Sequence, residues 1–249
     1  MYKLNKLAAG SVIVAAAALA STGVALADGY VAKGKSVVYE RPTDWSGVYF
    51  GVQSGYQWSS IDGGYPTPLV NQTDFDSGFV GAHIGIQHQF GAVVLGVEGN
   101  WLSTLRDDPG STVCPNPAFV CTHRLNDIIT AGGRIGWAAG HWMPYVTGGY
   151  ATSRLEARHF IPPGAAATNE AAGTRNDGWY VGGGFEWAVS PGWTTGLEYR
   201  HYEFDTDSGA WFRPGTGDVL GTYAMDATVD TITARVSWRW GRPEAKPLK

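Results

Sequence analysis

Apolar and polar residues alternate with a period of two along most of the chain after residue 44. Between Trp45 and Trp58 the even positions include Val48, Phe50, Val52, Tyr56 and Trp58. The odd positions are Gly47, Tyr49, Gly51, Gln53, Gly55 and Gln57, mostly small or polar. Such alternation predicts a strand with two unlike faces. Seven further segments follow the same rule, near 78–90, 93–102, 127–139, 143–154, 178–189, 193–204 and 228–240. In the second, Val80, Ala82, Ile84 and Ile86 oppose Gly81, His83, Gly85 and Gln87. In the eighth, Ile232, Ala234, Val236, Trp238 and Trp240 oppose Thr231, Thr233, Arg235, Ser237 and Arg239.

The connections alternate in length. Three are tight, around Gly91, around Gly140 and at Ser190-Pro191-Gly192; four are long, at 59–76, 103–126, 155–177 and 205–226. Every tight turn follows an even-numbered segment, so these turns and both chain ends share one end of an up-and-down meander. Short turns on the periplasmic side and long loops outside are the plan of an outer-membrane barrel. Segments of about 10–14 residues suffice for tilted strands that cross a bilayer. The predicted fold is all-β, an eight-stranded antiparallel up-and-down transmembrane β-barrel over residues 44–240, with a short tail at 241–249.

Alternation does not say which face is inside. A soluble barrel of the lipocalin kind would turn its apolar face inward and its polar face to water. Composition decides against it here. Only 16% of residues are charged, against about 25% in soluble domains, and the polar faces carry mainly glycine, of which there are 35. Glycine fits a crowded bore better than a solvent-facing strand. Aromatic residues gather near the segment ends of the apolar face, at Trp58, Phe90, Trp101, Trp137, Trp193 and Trp240. Rings at two levels are the mark of two bilayer interfaces. The apolar face is therefore assigned to lipid. A net charge of −4 excludes nucleic-acid binding as the main role.

The polar faces then line a bore that an eight-stranded barrel fills with its own side chains. Its charged residues are Glu98, Arg134, Glu186, Glu198, Arg200, Arg235 and Arg239. Counted up from the tight turns, Glu98 and Arg134 fall at similar depth on neighbouring strands, and so do Glu198 and Arg235. An ionic layer is predicted in which Glu98 pairs with Arg134, and Glu198 or Glu186 with Arg235, because an uncompensated charge in a narrow bore is expensive. Such a layer would close the barrel.

The first residues read as a processing signal. Lys3 and Lys6 precede an uncharged Ala-rich run from Leu7 to Ala20, and Ala25-Leu26-Ala27 is a small-x-small cleavage pattern before Asp28. This is the layout of a secretory signal peptide, residues 1–27, followed by a polar lead at 28–43; an uncharged stretch from 7 to 27 is also long enough for an anchor. In an exported chain, Cys114 and Cys121 in one Pro-rich loop read as a disulfide, with free thiols or half a metal site as alternatives. No second Cys pair or spaced His pair supports a metal.

Catalytic constellations are not evident. The chain has no H-E-x-x-H, Cys-His cluster or G-x-S-x-G. Asp107, Asp108, His123, His159, Glu203 and Asp205 fall near the predicted outer rim, without fixed spacing, and read as solvated loop polars. Gly182-Gly183-Gly184 lies in a strand, not before a helix, so it is not a phosphate loop. No enzyme, cofactor or metal is expected.

Three stretches carry a family resemblance. Asp44-Trp45-Ser46-Gly47-Val48-Tyr49-Phe50-Gly51 resembles the D-W-[ST]-G-x-Y-x-G opening of small outer-membrane barrels of Brucella, rhizobia and other alphaproteobacteria. Residues 144–151, P-Y-V-T-G-G-Y-A, are similar to their fifth strand, and residues 197–204, L-E-Y-R-H-Y-E-F, to their seventh. The resemblance covers nearly the whole chain after the leader. It implies an eight-stranded barrel related to the transmembrane domain of OmpA-type proteins, often given the label of porin, in the outer membrane of a Gram-negative bacterium. It also implies outer-membrane lipid and the barrel-assembly machinery as partners. Relatives end on an aromatic residue read in assembly; here that role falls to Trp238 and Trp240, which precede the tail. A structural, envelope-integrity role with surface exposure is the first expectation. A narrow channel, or a surface receptor for a ligand such as hemin using His123 and His159, is the alternative.

Overall fold

A computed structural model describes residues 43–64, 70–105, 110–113, 120–160, 170–213 and 216–240. The leader and its cleavage pattern, residues 28–42 of the lead, Asp107, Asp108, Cys114 and the tail lie outside them. The described strands are β1 Gly47–Gly64, β2 Val70–Phe90, β3 Val93–Thr104, β4 Gly110–Val113, β5 Val120–Trp137, β6 Trp142–Phe160, β7 Glu170–Ser190, β8 Trp193–Phe212 and β9 Val219–Trp240. All pairings are antiparallel. β1 pairs with both β2 and β9, and β3 with β5, so eight strands close on themselves. The four residues of β4 add a short flap along the upper part of β5. No helix occurs among the described residues.

The tight turns stand where the sequence puts them. Gly91, Gly140 and Gly192 each take positive φ, at 64°, 65° and 85°, a region that side-chain-bearing residues avoid. The long connections differ from expectation. β1 continues to Gly64 and β2 begins at Val70; β6 continues to Phe160 and β7 begins at Glu170. Much of each expected loop is thus a rising extension of the barrel wall. The expected loop 103–126 likewise contains β4 and the first residues of β5.

The reason lies in the solvent. Up to about Trp58, Trp101, Tyr150, Trp179 and Ile232, outward side chains are apolar and exposed. Trp137, Trp142, Trp187, Trp193 and Trp240 form a lower aromatic girdle, with Trp142 stacked on Trp187 at 5.2 Å. Above the upper rings the two faces exchange character. On β8, inward Glu198 and Arg200 are followed by inward Tyr202 and Phe204, while outward Leu197 is followed by Glu203 and Asp205. On β9, outward Ile232 and Val236 lie below outward Asp230 and Thr228, and inward Thr231 and Arg235 lie below Val229 and Ala227. Below the crossover the wall meets lipid; above it the wall meets water and the interior holds an apolar cluster interleaved with buried Ser59, Ser77, Ser153 and Asn176.

Candidate functional site: the barrel interior

The interior is stacked in levels. At the tight-turn end, the segment before β1 folds under the mouth. Trp45 is fully buried. Its amide donates to Gln89 Oε1 at 2.8 Å, and its carbonyl accepts from Gln87 Nε2 at 2.6 Å. Arg239 on β9 donates to the Asp44 carbonyl at 2.6 Å, and its guanidinium lies 4.7 Å from the Trp45 ring centre. Thr43 Oγ1 lies 3.1 Å from His141 Nδ1 in the β5–β6 turn. Val94, Met143 and Tyr145 pack with Trp45 into a small apolar floor. The alternating pattern from Trp45 onward suggested a strand starting there; the strand starts at Gly47, and Trp45 is a cork beneath it.

Above the floor lies the ionic layer. Glu98 on β3 receives three guanidinium contacts: Arg235 Nη2 at 2.6 Å, Arg200 Nη2 at 2.8 Å and Arg134 Nη1 at 3.3 Å. Glu198 on β8 receives Arg200 Nε at 2.7 Å and Arg235 Nη1 at 2.8 Å. Glu186 on β7 takes Arg134 Nη2 at 2.8 Å. Tyr49 and Tyr145 each donate a hydroxyl at 2.8 Å, to Glu98 and Glu198 respectively. Arg134 also lies over the Tyr145 ring, 4.0 Å from its centre. Three carboxylates thus meet three guanidiniums and their formal charges cancel. Their side chains are at most 4% exposed.

Glu98 meets Arg134 and Glu198 meets Arg235, the pairs that depth counting offered, while Glu186, the alternative to Glu198 as partner of Arg235, joins Arg134. Arg239 is one level too low for the layer and serves the cork instead. The two tyrosines were not anticipated as members, although Tyr49 falls at an inward odd position of β1. Glycine makes room for inward rings: a Cβ on Gly85 would overlap the Tyr49 ring, and one on Gly132 the hydroxyl of Tyr180 higher in the bore.

A polar shelf adjoins the layer, where His83 Nε2 lies 2.7 Å from Ser237 Oγ and Gln53 Nε2 donates to Asn100 Oδ1 at 3.4 Å. The top level is apolar. Phe79, Leu102, Leu125, Ile128, Leu155, Tyr180, Tyr202, Phe204 and Val229 form one buried cluster, with Tyr202 stacked on Phe204. Sequence patterning missed it, because apolar inward residues above the crossover read as the end of the strand pattern.

The remaining sequence candidates are dispersed. His123 and His159 fall on the upper parts of β5 and β6, where Cys121 is in register with His159 and His123 with Ala157. Glu203 and Asp205 point outward on β8. Cys121 lies in β5, but its expected partner Cys114 falls outside the described residues. Trp238 and Trp240 lie on the outward face of β9, with ring centres 5.5 Å apart, and Phe50 packs edge-on against Trp238. Among the described residues no group of three or more His, Cys, Asp or Glu could hold a metal ion.

The closed antiparallel barrel, with its girdles and charged bore, agrees with a family comparison. The model of the outer membrane protein beta-barrel domain matches residues 7–239. The chain belongs to that family. The 31 kDa outer-membrane immunogenic proteins of Brucella melitensis and Brucella suis are each 27% identical to it over 208 residues, covering 77% of this chain and 85% of the relative. Among solved structures, the outer membrane protease OmpT of Escherichia coli aligns with a TM-score of 0.49 and 9% identity, over 81% of this chain and 99% of that one. OprG of Pseudomonas aeruginosa aligns with a TM-score of 0.44 and 9% identity, over 78% and 97%. By that family model the chain is an outer-membrane β-barrel protein.

Proposed function

We propose that the protein is a structural barrel of the outer membrane with a closed bore, which displays its strand extensions at the cell surface and is neither a pore nor an enzyme. The observation that carries this reading is the ionic layer: charge-balanced, at most 4% exposed, and spanning the bore from β3 through β5, β7 and β8 to β9. A solute would have to break several buried ion pairs to pass, and breaking one such pair costs about 3–5 kcal/mol. The Trp45 cork below and the Phe79–Phe204 cluster above close the same path twice more.

A leader cut after Ala27 would export the chain, and Trp238 and Trp240 would serve the assembly machinery. The Brucella relatives are named as immunogenic outer-membrane proteins, which is in keeping with surface display. Planar-bilayer recording of the refolded protein tests the central point. Conductance near zero is expected. A large, steady conductance in the unmutated protein would overturn the closed bore and restore the porin label.

A further inference from the structure

Every seam of the barrel but one joins strands that lie close in sequence. The exception is β1 with β9, the two ends of the cylinder. Its pairing stops at Val48↔Trp240, at the tight-turn end. No turn links the two strands there, and untied chain ends fray. The segment Thr43–Ser46 crosses under that point. Gly47 takes φ +134°, a value that side-chain-bearing residues avoid, and a Cβ there would fall 2.6 Å from the Trp240 carbonyl oxygen. The chain therefore turns off β1 at Gly47 and passes beneath the mouth.

This strap is tied on three sides of the mouth. Gln87 and Gln89 of β2 hold both polar groups of the Trp45 backbone, and the Gln89 amide donates to Ser46 Oγ at 3.0 Å. Thr43 meets His141 in the β5–β6 turn. Arg239 of β9 donates to the carbonyl of Asp44, 195 residues away in the chain, and its guanidinium covers the Trp45 ring. The same ring packs on Val94 of β3 and on Met143 and Tyr145 of β6. Strands from most of the cylinder thus build one socket for Trp45. The socket is complete only when β9 has paired with β1, the pairing of greatest sequence separation and so the slowest kind to form.

We infer that Thr43–Ser46 is a latch on the β1–β9 seam, which docks after the barrel has closed and sets how slowly the seam reopens. Contacts made after the folding transition state slow unfolding and leave the folding rate alone. The claim concerns the seam and stands whether or not the bore conducts. The test uses the full barrel refolded into lipid vesicles, with folding and unfolding rates in urea read by heat-modifiable migration. Trp45→Ala should unfold about ten-fold faster or more, and fold within about two-fold of the parent rate. Amide hydrogen exchange should rise along the seam near Val48↔Trp240 and stay at the parent level at Phe185↔Leu197, between β7 and β8. Arg239→Gln, which leaves the ring in place, should move the same rates in the same direction, and serves if Trp45→Ala does not fold. Parent-like unfolding of the folded variant, folding slowed as much as unfolding is hastened, or exchange raised equally at Phe185↔Leu197 would overturn the latch.

Discussion

The membrane-embedded part of the barrel and its extension above the upper girdle use the same strands with opposite patterning. Below, apolar Phe50, Ile84 and Val236 face out, and Glu98, Arg134 and Arg235 face in. Above, Asp76, Glu203 and Thr228 face out, and Phe79, Phe204 and Val229 face in. Antiparallel pairing continues across this line: β8 and β9 stay in register from Trp193↔Trp238 to Phe204↔Ala227, and the irregularities near it, at Leu125/Asp127 between β5 and β6 and at Ala171/Gly178 between β7 and β8, do not part the strands. What changes is the medium outside the wall. Hydrogen bonding holds the cylinder together in both regions, whereas side-chain polarity records whether lipid or water lies beyond it.

The sharpest way to break the comparison is to remove one charge from the lower interior. Arg235→Ala would leave Glu98 and Glu198 each short of a contact within 2.8 Å. Destabilisation of about 3–5 kcal/mol is expected, since a stranded buried charge is the costly outcome. Urea unfolding in lipid vesicles would measure it. A loss below about 1 kcal/mol would mean that water reaches the layer freely.

The upper interior should respond to size and not to charge. Phe204 is buried among Tyr202 and its neighbours, so Phe204→Ala should cost about 3 kcal/mol through lost burial and a residual cavity. The same unfolding experiment would show it. Phe204→Leu should recover most of the loss. If both variants unfold like the parent, the extension does not fold as part of the cooperative barrel.

On the outer wall, one substitution placed on either side of the crossover isolates the medium. Phe50 faces lipid toward the lower girdle, packed on Trp238. Phe50→Arg should cost about 2 kcal/mol, the low end for a charge on the lipid face because the site is off the midplane. Thr228→Arg, outward on β9 above the crossover, should stay within about 0.5 kcal/mol. Equal costs would erase the distinction between the two regions.

How much of this could be read from the residues follows from the same contrast. Within the membrane every strand sets a lipid-facing residue against a bore-facing one, so the eight segments, the tight turns and the inward charges were legible. The predicted segments end near Trp58, Leu102, Arg154 and Phe204, close to where the faces exchange polarity. Beyond that line the alternation inverts, and inverted alternation beside glycine and proline looks like loop. The contact of Glu186 with Arg134 and the departure of Arg239 were not legible either. They depend on how long side chains cross the bore between non-neighbouring strands, and residue counting fixes only their depth. The cork escaped because Trp45, at the head of the periodic run, reads as the first residue of the strand, whereas side chains from β2 and β9 hold it beneath the barrel.

The smallest effect belongs to an ion pair at the far end of the extension. Arg213 and Asp218 cap the β8–β9 connection, with Nη1 and Oδ2 3.4 Å apart and side chains 42% and 60% exposed. The turn has other supports. The Arg213 amide donates to the Asp218 carbonyl and the Gly217 amide to the Arg213 carbonyl, both at 3.0 Å, and Thr216 Oγ1 donates to Asp218 Oδ2 at 2.9 Å. Gly217 takes φ +74°, which sets the chain reversal. Water screens the pair and competes for both partners, so Arg213→Ala should change stability by no more than about 0–1 kcal/mol. Gly217→Ala should cost more, about 1 kcal/mol or above, because alanine must enter the left-handed region. The Arg–carboxylate chemistry matches that of Arg235, so the ratio of the two arginine effects measures burial together with the second carboxylate that Arg235 serves. Should Arg213→Ala prove as damaging as Arg235→Ala, the connection is packed against something that covers it, and the extension is not the water-facing region its outer wall describes.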